Sequence, residues 1–312
     1  MNRMQFVPLP GVHLGDLLEA PAGPGVYTDH FVDFEAATVR DFYPAFNSGT
    51  DRLEWGLPYM PFSPDLQWTA HCQTSATGAP IDIWATSAVG TGAGAAVASI
   101  PSSECRVLRW ASTTTRLAYV DDGARVQLAT ITAGGPQSPM AIPGTYVPPY
   151  TLMFSPGDHW LAGMDNSNIW VSDVSSATAS NALQVSVAPP DGGSSYVSYA
   201  SFAPTSQLFA YATADAVYFV NLEGATPSSA RQLNLDKNKA PLPVFASSSA
   251  RWSADSAWIG YLGAASAAYG RELDIVNALD AGGVGRRRSS QFSPSCDTSS
   301  CTDVVLDFAF QP

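Results

Sequence analysis

Charge is what this chain has least of. Asp, Glu, Lys and Arg together make up 13% of its 312 residues, against roughly 25% in an ordinary globular domain. Lysine is nearly absent, with Lys237 and Lys239 the two examples, and the balance of 15 basic against 27 acidic residues leaves a formal net charge of -12. Such a surface repels polyanions, which speaks against a nucleic-acid interface and against attraction to anionic lipid. No apolar run approaches the roughly 18 residues that a spanning helix needs, so no membrane insertion is expected. The opening MNRMQFVPLPGVHLGDLLEAPAGPG has no uninterrupted apolar stretch after its basic residue and does not read as a signal peptide.

The signatures of common catalytic centres are also missing. His13, His30, His71 and His159 have no H-E-x-x-H spacing, and no G-x-S-x-G elbow occurs. Gly192-Gly193-Ser194-Ser195 lies in a Pro/Gly turn without a strand-to-helix context. His159 falls in a turn where a solvated polar residue is expected. Asp165-Asn166-Ser167-Asn168 is rich in oxygen ligands, but the closing Glu of a twelve-residue calcium loop is lacking, so a hairpin turn is the better reading. No metal, cofactor or catalytic residue is assigned from sequence.

Four cysteines form a far pair, Cys72 and Cys105, and a near pair, Cys296 and Cys301 in SCDTSSC. Zinc would want convergent ligands at C-x2-C spacing, which the chain does not offer. Two disulfides or buried thiols remain as readings. The disulfide reading favours a periplasmic or extracellular setting.

What the chain does have is apolar and turn-forming. Hydrophobic residues reach 46%, with 25 Gly and 24 Pro, a balance suited to many short strands joined by tight turns. Phe154 to Val174, FSPGDHWLAGMDNSNIWVSDV, sets the pattern: an aromatic-Ser-Pro lead, a polar turn, a strand at Trp160-Leu161-Ala162, a second turn and a second strand ending near Asp173. The lead aromatics Phe62, Trp110, Phe154, Phe202 and Trp252 follow one another at intervals of 48, 44, 48 and 50 residues. That period belongs to propeller blades rather than to helical repeats. Within each unit small and apolar residues alternate over five or six positions, and no stretch holds a 3.6 period. One unit alone has too little apolar face to be stable, so neighbours must stack.

The expected fold is therefore all-β, a β-propeller of four-stranded antiparallel blades spanning residues 56-312. Leu306 to Pro312 repeats the lead strand at Phe310 and then stops. Residues 1-55 carry no copy of the repeat, and Pro8, Pro10, Pro21 and Pro24 mark them as irregular. Gly25 to Phe34 is their most strand-like piece, and Glu35 to Phe42 fits either a short helix or a strand. The N-terminal segment is long enough to supply strands that complete a sixth and last blade, leaving no open edge. The rival reading is that further blades lie downstream.

The layout of lead aromatic, small residue and Pro, then Trp or Leu, then a second strand ending in Asp or Asn, resembles the TolB-like propeller family, also called PD40 or WD40-like repeats. It is clearest in the units beginning at Phe154, Phe202 and Trp252. The resemblance implies a six-bladed propeller that serves as an interaction platform in a bacterial envelope, or that gates a peptidase domain in a larger enzyme. Several units lose the family's Asp-Gly turn, as at Pro204-Thr205-Ser206-Gln207, so no partner-binding residue carries over.

Recurring positions have structural readings. The lead aromatics are expected to pack between blades. Asp82, Asp173, Asn221 and Asn277 recur near the end of the second core strand, which argues for a turn or inter-blade hydrogen bond. Two features do not recur. Arg286-Arg287-Arg288 is a basic run, solvated or facing an acidic partner, and Trp55 to Phe62 presents Trp55 and Tyr59 as candidate anchors. The functional expectation is a monomeric, non-enzymatic propeller that binds a protein partner or small ligand at its face. A hydrolase or lyase with a loop-borne site at the central channel is the alternative.

Overall fold

The computed structural model describes residues 4-9, 12-23, 26-33, 38-41, 63-65, 67-72, 78-85, 96-105, 107-144, 149-165, 167-176, 178-187, 197-205, 207-213, 216-224, 227-233, 251-264, 271-278 and 287-288. Among them there is no helix; every regular element is a strand, and all pairings are antiparallel. The fold is all-β, and its building unit is the four-stranded antiparallel blade of a β-propeller. The chain divides into two compact units, Met1–Pro143 and Gly144–Pro312.

Unit one holds three sheets. The first runs β1 (Met4–Leu9), β2 (Val12–Gly23), β3 (Val26–Asp33) and β4 (Thr38–Asp41) in sequence order. The second has three strands, β5 (Trp68–Cys72), β6 (Ile81–Ala85) and β7 (Ala98–Ile100). The third is β8 (Leu108–Trp110), β9 (Arg116–Val120), β10 (Val126–Thr132) and β11 (Gly135–Ala141). Between the second and third sheets, Ala70, Ile81, Ile83 and Ile100 pack with Trp110, Leu117, Ala129 and Ile131 in one core.

Unit two repeats the meander three times. Its sheets are β12 (Thr151–Phe154), β13 (Trp160–Met164), β14 (Ile169–Asp173) and β15 (Leu183–Gln184); β16 (Val197–Phe202), β17 (Leu208–Thr213), β18 (Val217–Asn221) and β19 (Arg231–Gln232); and β20 (Arg251–Trp252), β21 (Trp258–Ala264), β22 (Arg271–Asn277) and β23 (Arg287–Arg288). Two cores separate them. Trp160, Ala162, Ile169 and Val171 meet Phe209, Tyr211 and Tyr218, while Leu208, Ala210 and Phe219 meet Ile259, Tyr261 and Val276. Strands β13, β17 and β18 read as nearly continuous buried runs because both their faces are covered.

In five of the sheets the turn into the long core strand is closed within its own chain. In three of them Ser63, Ser155 and Ser253 accept at Oγ from the backbone N–H five residues on, at 3.0, 3.0 and 2.9 Å. Ser63 and Ser253 donate the same hydroxyl to Asp65 and Asp255, whose carboxylates cap the N–H groups of Gln67 and Ala257. A Ser-x-Asp lead thus satisfies the polar backbone that a tight turn leaves unpaired. Where Ala111 and Ala203 replace the serine, the backbone bonds to Arg116 and Leu208 remain, both at 2.8 Å.

The N-terminal segment differs from its sequence expectation. Met4–Asp41 carries four strands that pair with one another, the second 12 residues long. Prolines did not prevent this because the ladder shifts around them: the β1–β2 register breaks between Val7 and Leu9, flanking Pro8, and the β2–β3 register breaks after Pro21. Glu35 to Phe42, open between helix and strand, contains β4. The sixth lead strand at Phe310 lies outside the described residues.

Candidate functional site

The recurring Asp and Asn positions resolve into two classes. Asp173 and Asn221 end β14 and β18, and each N–H receives support from a serine seven residues on, donating to Ser180 Oγ (2.7 Å) and Ser228 Oγ (2.8 Å). Their side chains cap Ser175 and Glu223, so they are turn builders, as the repeat implied. Asp82 is a correction. It is the second residue of β6, opposite His71 on β5 and Ser99 on β7, rather than a strand end. Asp82 is buried, and that burial pushes its carboxyl above the usual carboxylate range, with a Ser99 hydrogen bond opposing the shift.

Asp165 accepts from the N–H groups of Ser167 and Asn168, both at 2.7 Å, and from the Asn168 amide, which makes the expected hairpin turn. His159 is exposed in its turn, and its carbonyl accepts from Val174 N–H. Trp110 and Phe154 are buried; Phe202 meets Phe209 edge-on at 4.9 Å, and Trp252 packs against the Ile259 core. These placements agree with packing roles.

The remaining sequence candidates scatter. Arg287 and Arg288 form β23, paired with Ile275 and Asp274, so they belong to a sheet edge rather than to a loop. Arg286, Trp55, Tyr59, Cys296 and Cys301 lie outside the described residues. Cys72 ends β5 opposite Ile81, and Cys105 is 2% exposed in the core that contains Ala70 and Ile81. Among the described residues no group of three or more His, Cys, Asp or Glu is placed to hold a metal. No helix there is long and apolar enough to cross a membrane.

A polar cluster that sequence reasoning missed sits on the first strands of two neighbouring sheets in unit two. Tyr199 and Ser201 lie on β16, two residues apart and therefore on one face; Arg251 and Trp252 form β20. All four are half-buried. The Tyr199 hydroxyl donates to Ser201 Oγ at 2.7 Å, and Trp252 Nε1–H donates to the same oxygen at 3.1 Å. Burial raises the Tyr199 pKa, against hydrogen bonds from Ser201 and Arg251 and the Arg251 charge, so the phenol stays protonated at neutral pH. Arg251 bonds the phenol, the phenol bonds Ser201, and Ser201 has accepted twice. A hydroxyl has two acceptor lone pairs and one donor, so what Ser201 retains is its O–H. The cluster is a donor relay with a cation behind it. One signal could have exposed it: an arginine precedes the lead tryptophan in two units, at Arg109-Trp110 and Arg251-Trp252.

Comparison with known proteins gives no family model and no curated protein that matches the chain. Among solved structures, a candidate 6-phosphogluconolactonase from Bacteroides uniformis shares 12% identity, covering 82% of this chain and 75% of its own, with a TM-score of 0.45. A chain of the mitotic checkpoint complex shares 12% over 90% of this chain and 77% of its own, with a TM-score of 0.46. Hsv2 of Kluyveromyces lactis shares 9% over 90% and 74%, also at 0.46.

Proposed function

We propose that the protein is a non-enzymatic binding propeller of a bacterial cell envelope, TolB-like in its repeats, that holds a small ligand or a protein partner at the propeller face. The observation that carries this reading is the wiring of Ser201. Both its lone pairs accept, from Tyr199 and Trp252, so the hydroxyl is set to donate to something bound and not to be deprotonated for attack. A hydrolytic site would instead place a base on that hydroxyl proton. Arg286, Arg287, Arg288, Trp55 and Tyr59 are the further residues assigned to a partner. The envelope setting is supported by Cys105, which is not a free thiol.

A thermal-shift panel of neutral saccharides, short peptides and small organic acids tests the reading. At least one class should raise the melting temperature of the wild-type chain, and the rise should vanish in the Ser201→Ala, Arg251→Gln double variant. Turnover of an ester or lactone by the purified chain, lost in Ser201→Ala, would overturn it in favour of a hydrolase. So would a panel with no stabilising ligand.

A further inference from the structure

We propose that the open edge of the β12 to β15 sheet takes up, as a fifth strand, an extended and positively charged segment of a partner protein. This edge is separate from the Ser201 cluster and draws on none of its residues. A terminal strand exposes a row of unpaired N–H and C=O groups, and folded proteins guard such rows with charge, proline or very short length. The last strands of the other five sheets carry those guards. β4 holds Arg40 and Asp41, β7 is three residues long and meets Pro101, β11 contains Pro136 and Pro139, Arg231 stands on β19, and β23 is Arg287–Arg288. β15 has neither charge nor proline, and Thr178 to Val187 reads TASNALQVSV. Although β15 itself is two residues long, its bonding to β14 continues, with Val185 N–H and Ser186 N–H donating to the Ile169 carbonyl at 2.8 and 3.3 Å.

Those bonds decide which groups are free. Residues of an antiparallel strand bond alternately to one side and the other, so with Val185 bonded to β14 the N–H and C=O of Gln184 point away from it. Gly144 lies against Ala182, where a Cβ would come 3.2 Å from the Ala182 nitrogen, so the open stretch begins at Leu183. It ends at Val187, whose N–H donates to the Tyr211 hydroxyl at 3.1 Å. Leu183 and Val187 are 37% and 38% exposed and flank the buried Val185 at every second position, so a strand with alternating apolar residues would continue their row. Charge selects the occupant. From Val126 to Ala230 the chain has no Lys or Arg, while Asp158, Asp165, Asp173, Asp191, Asp215 and Glu223 fall in that span. Two of these carboxylates stand at the ends of the open stretch. The Asp173 carbonyl accepts from Ser180 N–H at 2.8 Å, and Asp165 holds Asn168, whose Oδ1 accepts from Gln184 Nε2 at 3.2 Å. A basic residue at either end of an added strand therefore meets a carboxylate with no Lys or Arg on the same sheet to compete. A second copy of this chain is the poorer occupant, because it would bring the same carboxylates against themselves and a net charge of -12 against its like.

The experiment titrates the full chain with a fluorescent peptide, Lys-Val-Thr-Val-Thr-Val-Lys, with its acidic counterpart Glu-Val-Thr-Val-Thr-Val-Glu, and with Lys-Val-Pro-Val-Pro-Val-Lys, which keeps the charge but cannot form the ladder. Anisotropy reads the affinity, and amide hydrogen exchange reads the place. The first peptide should bind saturably, about tenfold or more tightly than the other two, and should slow exchange from Leu183 to Ser186. Gln184→Pro, which removes an N–H that points away from β14, and Leu183→Lys, which supplies a guarding charge, should each weaken it by about tenfold, with the melting temperature confirming that each variant folds. Gln184→Ala, which keeps the N–H, should retain binding. No saturable binding, equal affinity for the acidic or the proline peptide, protection at a segment other than Leu183 to Ser186, or undiminished binding to a folded edge variant would each overturn the proposal. Protection of the same amides that rises with chain concentration, in the absence of peptide, would place a second copy on the edge and overturn the cationic occupant.

Discussion

The indole of Trp170 lies flat over the backbone of Gly163, its partner in the β13–β14 register. A Cβ built on Gly163 would collide with Cζ2, Cε2 and Nε1 of that indole. The same cross-strand row in the next sheet sets Tyr211 opposite Tyr218, the two rings stacked at 4.9 Å with planes 19° apart. A large ring on the second core strand is thus accommodated in two ways, by a missing side chain opposite Trp170 and by ring stacking opposite Tyr218.

Gly163→Ala should therefore destabilise the protein, by about 1–3 kcal/mol, because the buried ring must leave its place. Trp170→Leu in the same chain should relieve the clash, so the double variant should be more stable than the sum of the two single losses predicts. Denaturant midpoints for the four proteins measure this coupling. Strictly additive losses would show that the ring moves aside freely.

Ser256 adopts a left-handed backbone, with φ of 61°, and it is 2% exposed. Serine tolerates that conformation poorly, but its Oγ accepts from Thr205 N–H at 3.0 Å and ties the first turn of the β20 sheet to that of the β16 sheet. Ser256→Gly should remove the bond while relieving the strain; Ser256→Ala should remove the bond and keep the strain. The expected order of stability is Ser, then Gly, then Ala, with the alanine about 1–2 kcal/mol below wild type. Thermal unfolding of the two variants checks it, and an alanine variant as stable as the glycine one would deny the strain.

Two buried carboxylates should respond to pH in opposite directions. Burial alone would raise Asp121, but the Arg125 N–H, the Gln127 amide at 2.7 Å and the Arg125 side chain in a 2.9 Å ion pair hold it below the ordinary value of 3.8. A depressed carboxyl contributes stability above its unfolded pKa and loses it as pH falls through the folded one. Asp121→Asn should accordingly destabilise at pH 7 and cost little once both proteins are well into acid. Asp82 is raised above 3.8, so its contribution is present in acid and is lost as pH rises through the folded pKa. Asp82→Asn should gain stability over wild type at neutral pH, and the gain should close on acidification. Melting temperatures between pH 2.5 and pH 7 would decide both, and parallel curves for either variant would refute its sign.

The sequence made the blades legible where their causes are local. A small residue after the lead aromatic closes its own turn, and an aromatic at fixed spacing follows from a shared packing need, so periodicity alone located β12, β16 and β20. The first 41 residues were not legible because nothing in them repeats, and Pro8 and Pro21 spoke against strands without revealing that the ladder shifts beside them. The Tyr199–Ser201–Arg251–Trp252 cluster escaped for a related reason. Its members come from two blades some 50 residues apart, and their relation depends on the donor geometry around one oxygen rather than on any residue pattern. Asp82 was misread because a carboxylate early in a strand and one at its end look alike in a short repeat.

Cys72 should be bonded to Cys105. Cys105 is 2% exposed, is not a free thiol, and packs in the core that holds Ala70, Ile81 and Ile100. Cys72 stands two positions along β5 from Ala70 and opposite Ile81, which is itself opposite Ile100 on β7, so the backbone ladder carries the two cysteines to the same end of the three-stranded sheet. A bond there closes a loop of some 30 residues, worth about 3–4 kcal/mol in the loop-entropy account. Because the core around Cys105 is closed to solvent, reductant should reach the bond only when the chain opens, so mild reduction should leave the native state oxidised for longer than denaturant-assisted reduction does. Peptide mapping without reductant should recover a Cys72–Cys105 cross-link, and Cys72→Ala should lower the melting temperature of the oxidised protein but leave that of the fully reduced protein unchanged. A map in which Cys105 is linked to Cys296 or Cys301 instead would remove the pairing, and a Cys72→Ala loss of equal size in the reduced protein would show that packing, not the bond, sets the stability of this sheet.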